Sequence, residues 1–298
     1  MGSFRGVINI SQNPILTASE KFNINVPKQI ISPEAFLSFS RLSYSTRAEG
    51  NYYRCTFSLH APDDYLNLLF HNNLMRHVII NSPQGKILWE GFIYEMSLQL
   101  PRVMKRISVQ TICNRIWVRY QVIGSATVSR TAVVENLESQ ARYGIRETVL
   151  TAGETRSNLE ALQLAGRILE QNRIPKVMTD DLTIGGAPKS VVLNIVCYGY
   201  YETLKWQMYN QTALTGVQSV SSQINDIILA NVQFYKSIDL GLNATPVARV
   251  YDMDRTAESI MKSNAALGDA YYRRWLIRYM PEFTISFNEA APPEYPPA

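Results

Sequence analysis

The stretch GKILWEGFIYEM, residues 85–96, decides how the chain is expected to fold. Written as a β-strand, its side chains alternate between two faces. One face carries Trp89 and Ile93, and the other carries Phe92 and Tyr94. A half-buried strand of a soluble protein has one polar face. Because both faces here carry large apolar or aromatic side chains, the sequence predicts a strand that is covered on both sides.

The residues before this stretch predict that it is the second strand of a β-hairpin. A strand over 77–81 leads through Ser82-Pro83-Gln84-Gly85 into a strand over 86–98. Proline presets the backbone angle of a turn and glycine accepts a positive φ. Further strand-like runs cover 51–60 and 189–210, so the chain is predicted to be mainly β.

Helix signals interrupt the strands. In residues 157–175, Ser157 and Glu160 form a capping box and Pro175 prevents continuation of the helix. Its predicted buried stripe consists of Leu159, Leu162, Gly166 and Leu169. Weaker helix signals lie in 62–75, 129–144, 217–229 and 255–267.

The composition is that of a folded globular chain. With 298 residues, 46% hydrophobic and 18% charged, the chain has material for one large domain or two smaller ones. The net charge of +4 is small and no long Lys/Arg cluster occurs, which argues against strong electrostatic binding of nucleic acid. Neither a signal-peptide pattern nor a run of about 18 apolar residues occurs, so no membrane span is predicted.

No residue pattern predicts catalysis, a cofactor or a metal. Neither a G-x-S-x-G sequence nor a phosphate-binding loop occurs. Three cysteines without C-x-x-C spacing are interpreted as small buried hydrophobic residues, which suits folding in a reducing cytoplasm: Cys55, Cys113 and Cys197. Three histidines without metal-site spacing are interpreted as surface or boundary residues: His60, His71 and His77.

Aromatic and basic residues alternate in 269–280. Tyr, Trp and Arg are favoured at protein interfaces and also on surfaces that bind nucleic acid. With a net charge of only +4, the interface is the preferred interpretation. The predicted subunit-interface residues, from this stretch and from the 85–96 strand, are Leu88, Phe92, Tyr94, Met96, Tyr272, Arg274 and Arg278.

An internal sequence repeat, which we call the echo, predicts a duplicated β unit. Cys113 and Cys197 differ by 84 positions, and apolar residues in 107–117 meet apolar residues in 191–201 at the same offset. Each copy continues through a loop to a helix signal.

The order of these features resembles the baseplate hub proteins of bacteriophage tails. The resemblance covers about 30–285 and rests on the Trp89-Glu90-Gly91 hairpin and on the runs 139–150, 159–175, 191–206 and 266–275. It implies an α+β, mainly β fold with two tail-tube-like β-barrel or sandwich domains and intervening and flanking helices. The implied domains are 1–128 and 177–288, with a helical linker at 129–176 and a Pro-rich tail at 289–298.

The resemblance also implies a function in assembly. Such a hub forms a homo-oligomeric ring at the distal end of the tail, with a trimer preferred and a hexamer as the alternative. It connects the tail tube protein to a spike or fibre protein, and the tape-measure protein and DNA pass through it. The expected location is the virion tail, assembled in the host cytoplasm, with no enzymatic activity, no cofactor and no membrane contact. The alternatives are a hexameric tail-tube or distal-tail ring, a cell-wall hydrolase and a nucleic-acid-binding β module.

Overall fold

Strands predominate in the computed structural model, which describes residues 7–14, 38–155, 157–181, 191–209, 217–248, 255–271 and 273–290. The helices are α1 (Asp63–Asn72), α2 (Leu137–Tyr143), α3 (Asn158–Asn172), α4 (Val220–Asn231) and α5 (Ala257–Ala266). Two short 3-10 helices cover Tyr200–Lys205 and Pro281–Phe283. The strands are β1 (Val7–Pro14), β2 (Ser38–Arg47), β3 (Gly50–His60), β4 (Arg76–Asn81), β5 (Ile87–Gln99), β6 (Val103–Ser108), β7 (Arg115–Val122), β8 (Val128–Arg130), β9 (Val134–Glu135), β10 (Glu147–Thr155), β11 (Val177–Asp181), β12 (Val192–Tyr198), β13 (Val217–Ser219), β14 (Ser237–Leu240), β15 (Pro246–Ala248), β16 (Trp275–Met280) and β17 (Thr284–Glu289).

The predicted hairpin is confirmed as β4 and β5. Gly85 has φ +83° and donates its N–H to the carbonyl of Ser82 at 2.9 Å, which closes the turn. Gly in this left-handed conformation carries no steric cost.

Six strands form a continuous antiparallel sheet in the order β2-β3-β12-β5-β6-β11. They belong to a larger sheet of eleven strands. The hairpin partner β4 pairs with the first half of β5 and with β1, while β16, β17 and β14 continue from the start of β3. We call the six strands the central sheet.

The central sheet takes strands from both ranges predicted as β domains. β12, from 177–288, lies between β5 and β3, from 1–128. No sheet of the described residues closes into a barrel. The structure therefore has open sheets, whereas the resemblance implied β-barrel or sandwich domains. The coarser prediction, α+β and mainly β, is confirmed.

A smaller four-stranded sheet of β7 to β10 packs against α3 around its own core. The N-cap of α3 is confirmed at Ser157, whose hydroxyl accepts the N–H of Glu160. The predicted buried stripe is confirmed only at Leu169. Ala161 and Ala165 form the rest of the buried stripe, whereas Leu159 is 64% exposed and Leu162 and Gly166 are half-buried. Small alanine side chains let the helix approach the sheet closely.

Two other sequence predictions are corrected. Only Leu137–Tyr143 of the predicted 129–144 helix is helical, because β7 recruits β8 and β9 by strand pairing. The echo also joins unlike structures: Cys113 lies in the connection between β6 and β7, and Cys197 lies within β12. Within the described ranges, no helix combines the length and apolar character needed to cross a membrane.

Candidate functional site

Both faces of β5 are covered by the chain itself. Trp89 is fully buried, with its ring centroid 6.4 Å from that of Tyr52. On the other face Phe92 is fully buried against Trp206 and Tyr200, at 5.4 and 5.6 Å. The Phe92 face of β5 is therefore covered by the Tyr200–Lys205 segment, which follows β12, and by Trp206 next to it. The sequence predicted that this face is covered but did not identify the segment that covers it.

This arrangement corrects part of the predicted interface. Phe92 and Met96 have no exposed surface and belong to the main core. Leu88 is partly buried and packs against the same core. A neighbouring subunit has no access to Phe92 and Met96, so these two are not interface residues.

The C-terminal candidates divide in the same way. Arg274 is exposed, and half-buried Arg278 donates its Nε–H to the carbonyl of Ala48 at 2.9 Å. Tyr272 lies outside the described residues. The other aromatic residues of the predicted Tyr/Arg surface are split, because Trp275 and Tyr279 are buried and only Tyr271 is exposed.

The central sheet has one apolar face and one polar face. The apolar face lies on the main core, with Phe57, Ile195 and Met96 no more than 2% exposed. The opposite side chains alternate with these along each strand. They are mostly hydroxyls and amides, a set we call the polar face: Ser40, Ser43, Ser45, Thr56, Ser58, Asn194, Ser97 and Gln99.

One row of the polar face crosses all six strands in pairing register. It runs Ser40, Ser58, Asn194, Ser97, Arg106 and Met178. The Ser58 hydroxyl donates to the Asn194 side-chain oxygen at 2.7 Å, which fixes the centre of the row. Charges on this face balance in number, with Arg54 and Arg106 against Glu95 and Asp180. The Arg106 guanidinium lies 3.0 Å from the Asp180 carboxylate.

The two outer strands of the central sheet leave an edge without a partner strand in the described part of the chain. β2 pairs only with β3, and β11 pairs only with β6. Both edges carry exposed apolar side chains. Phe39 and Tyr44 on β2 are 39% and 38% exposed, and Val177 and Met178 on β11 are 43% and 47% exposed.

A groove lined with tyrosines lies at one end of the polar face. Two adjoining cavities of about 300 and 110 Å³ share Tyr53, Tyr198, Glu202 and Lys205. The Tyr94 ring lies edge-on to Tyr198 at 4.8 Å, so this predicted interface residue is a wall of the groove. Burial raises the pKa of both hydroxyls.

Basic side chains line the same groove. The Arg47 guanidinium lies 3.1 Å from the centre of the Tyr53 ring, and Lys205 forms an ion pair with Glu202 at 2.7 Å. Arg47, Tyr53 and Lys205 were not singled out by the sequence analysis, because they come from separate strands and connections. Aromatic rings beside arginine form a surface of the kind that protein partners bind.

A buried polar cluster links three parts of the main core. His77 Nε2 lies 3.3 Å from the Glu90 carboxylate, and His77 Nδ1 lies 2.6 Å from the Tyr200 hydroxyl. Glu90 also accepts the backbone N–H of Glu282 at 2.9 Å. His77 is 5% exposed, so its interpretation as a surface or boundary residue is wrong.

This cluster has the residue types of an acid–base relay but lies within the core. Burial raises the pKa of Tyr200 well above its ordinary value, so the hydroxyl stays protonated at neutral pH. The cluster holds a strained turn: Glu282 and Phe283 both have left-handed φ, +61° and +60°, and Phe283 stacks on His77 at 4.9 Å. Its evident contribution is to join β4, β5 and the β16–β17 turn.

Comparisons with known protein families, curated proteins and solved structures found no match to the chain. Among the described residues, no group of three His, Cys, Asp or Glu side chains is placed to hold a metal ion. The surfaces that stand out are therefore the polar face, its two edges and the tyrosine groove.

Proposed function

We propose that the chain is a ring-forming structural protein of a phage tail, a baseplate hub between the tail tube and a spike or fibre. The proposal rests on the central sheet, whose outer strands β2 and β11 each offer a backbone edge without a partner strand among the described residues. Such edges readily pair with another chain. The sequence resemblance indicates the kind of assembly, and the two strand edges support a ring formed by strand pairing between copies.

The strand directions suit head-to-tail closure. All five pairings of the central sheet are antiparallel, so its two outer strands run in opposite directions. β11 of one copy can therefore meet β2 of the next copy as an antiparallel pair after a simple rotation. A head-to-tail contact of this type, repeated with the same rotation, closes into a ring when that rotation divides a full turn. The exposed Phe39, Tyr44, Val177 and Met178 would be covered by that contact.

The number of strands favours three copies. Three six-stranded sheets bring eighteen strands to the ring, and closed sheets of about 16–18 strands enclose an aqueous channel. A strand spacing of about 4.8 Å and a tilt of about 40° give about 36 Å between opposite backbones. This leaves room for DNA or a tape-measure protein. Six copies, as in a tail-tube or distal-tail ring, would enclose about twice that width.

The experiment measures particle mass in solution and rotational symmetry in projection images. We expect the wild-type chain to form threefold rings. The Val177→Lys variant should stay folded and monomeric, because charge on an edge strand blocks pairing. Leu229→Lys is the matched control, since Leu229 is similarly exposed at 51% but lies on α4. A wild-type chain that is monomeric at high concentration, or a Val177→Lys variant that forms normal rings, would overturn the proposal.

A further inference from the structure

The polar face of the central sheet is unlike an ordinary exposed surface. Its central row carries Ser40, Ser58, Asn194 and Ser97 on four neighbouring strands in direct register. These are short, uncharged hydrogen-bonding side chains. Ser58 is buried at 4% exposure and the other three are half-buried. Long charged side chains flank this group, with Glu95 on the same face of β5 and Arg106 next in the row on β6. The result is a band of short polar side chains across four of the six strands.

We infer that this polar face lines the channel of the ring, with the apolar face turned outward; this inference rests on the proposed function. The direction follows from volume. The apolar face is covered by the main core and the elements packed on it. The polar face carries a single layer of side chains, mostly short ones, with Arg54, Arg106 and Glu95 among them. When an open sheet closes into a ring, the layer with more volume behind it takes the outer, longer circumference. The polar face is then the concave side.

The chemistry of the face fits double-stranded DNA in transit. Strong, non-specific binding of DNA needs rows of Lys and Arg that release counterions. Here Arg54 and Arg106 are matched by Glu95 and Asp180, and Arg106 is already paired with Asp180. The face therefore offers hydroxyls and amides to the water around a passing polyanion, with no surplus positive charge to retain it. The tyrosine groove, with Arg47 and Lys205, lies at one end of the polar face and so at one mouth of the channel.

Cysteine accessibility tests the direction of the face. All three natural cysteines are buried, so the wild-type chain provides an unreactive background. Ser97→Cys places a thiol in the middle of the polar face, and Thr56→Cys is a second position if the first variant does not fold. Ser263→Cys, on the exposed side of α5, is the control. Each variant is treated with a small maleimide and with a maleimide coupled to a globular protein too large for the channel, before and after ring assembly.

The expected result is a selective loss of access. In rings, Ser97→Cys should react with the small reagent but at least tenfold more slowly with the large one. Ser263→Cys should react with both, and unassembled chains of both variants should react with both. If Ser97→Cys and Ser263→Cys in assembled rings react equally with the large reagent, the polar face does not line the channel. The proposal that the chain forms rings would be unaffected by that result. A wild-type chain that forms no rings would overturn the proposed function itself, so the two failures are distinguishable.

Affinity for a short DNA duplex tests the chemistry. Wild-type rings should bind it weakly at low salt, and Ser97→Lys rings should bind it at least tenfold more strongly, with a steep loss as salt rises. Ser263→Lys rings, which add the same charge outside the channel, should resemble the wild type. Equal retention by Ser97→Lys and Ser263→Lys rings would show that DNA does not meet the polar face.

Discussion

Replacing Gly91 with alanine tests the closest backbone approach in the central sheet. A Cβ at Gly91 would overlap the carbonyl oxygen of Tyr198 and the Trp89 ring, and would lie 2.8 Å from the Tyr198 carbonyl carbon. Backbone atoms cannot rotate away as a flexible side chain can. β5 and β12 must therefore separate at the point where the register already shifts, between Val196 and Cys197.

The expected cost is large for one methyl group. Overpacking a well-packed site costs about 1–3 kcal/mol, and each ladder hydrogen bond lost as the strands separate adds about 1 kcal/mol. Gly91→Ala should thus lower the free energy of unfolding by about 3–5 kcal/mol, or the Tm by about 10 °C. Urea and thermal unfolding of the isolated chain measure it.

Gly153→Ala is the matched control. Gly153 also lies in a strand, β10, but a Cβ there would meet nothing within 4 Å. This variant should be as stable as the wild type or about 0.5 kcal/mol more stable, because alanine restricts the unfolded chain. If both variants unfold at the same temperature, the close approach of β12 to Gly91 is refuted.

Two further predictions concern buried side chains. Trp89→Ala should cost about 3–5 kcal/mol of folding stability, measured by urea unfolding, whereas Tyr94→Ser, at a half-buried groove wall, should cost clearly less; equal losses would contradict the assigned burial. Burial raises the pKa of Tyr52 to about 12, with the Glu90 charge adding to the effect, and burial raises the pKa of the Cys55 thiol to about 12. Because the folded state then holds protons that the unfolded state releases, both groups make stability fall between about pH 9 and 12. Thermal unfolding across that range, with Cys55→Ala as comparison, measures the slope; a Cys55→Ala variant with an unchanged slope would exclude the thiol contribution.

Local signals in the sequence predicted the local structure well. The β4–β5 turn follows from Pro83 and Gly85, and the start of α3 follows from Ser157, because both depend on residues only a few positions apart. A glycine inside a strand, such as Gly91, is typical of a bend or of the close approach of another backbone. The carbonyl of Tyr198 lies at that position.

Distant pairings were beyond the reach of the same reasoning. Both faces of β5 were known to need cover, but Trp206 lies 114 positions after Phe92 in the sequence and nothing local links them. A neighbouring subunit was therefore inferred where a later segment of the same chain provides the cover. His77 was misplaced for a related reason, since its burial depends on Glu90, Tyr200 and Phe283 meeting at one point.

The polar face was also hidden in the sequence. Its central row takes one residue from each of six strands, and serine or asparagine in any one strand reads as an ordinary solvent-facing position. Only the pairing register shows that four such residues are neighbours. The exposed edges of β2 and β11 were hidden in the same way, because an edge is defined by the strands that do not pair with it.

The late position of β12 in the chain has a consequence for synthesis. β3 and β5 emerge from the ribosome well before residues 192–198, yet β12 must enter between them. Until then the centre of the sheet is a slot with two exposed strand edges and unburied side chains such as Phe57 and Met96. Long-range β pairing of this kind forms slowly, and the unpaired strands expose aggregation-prone surface until β12 is in place. Truncated chains that end before residue 192 should therefore depend on chaperones, and conditions that slow elongation between 100 and 190 should lower the yield of soluble protein.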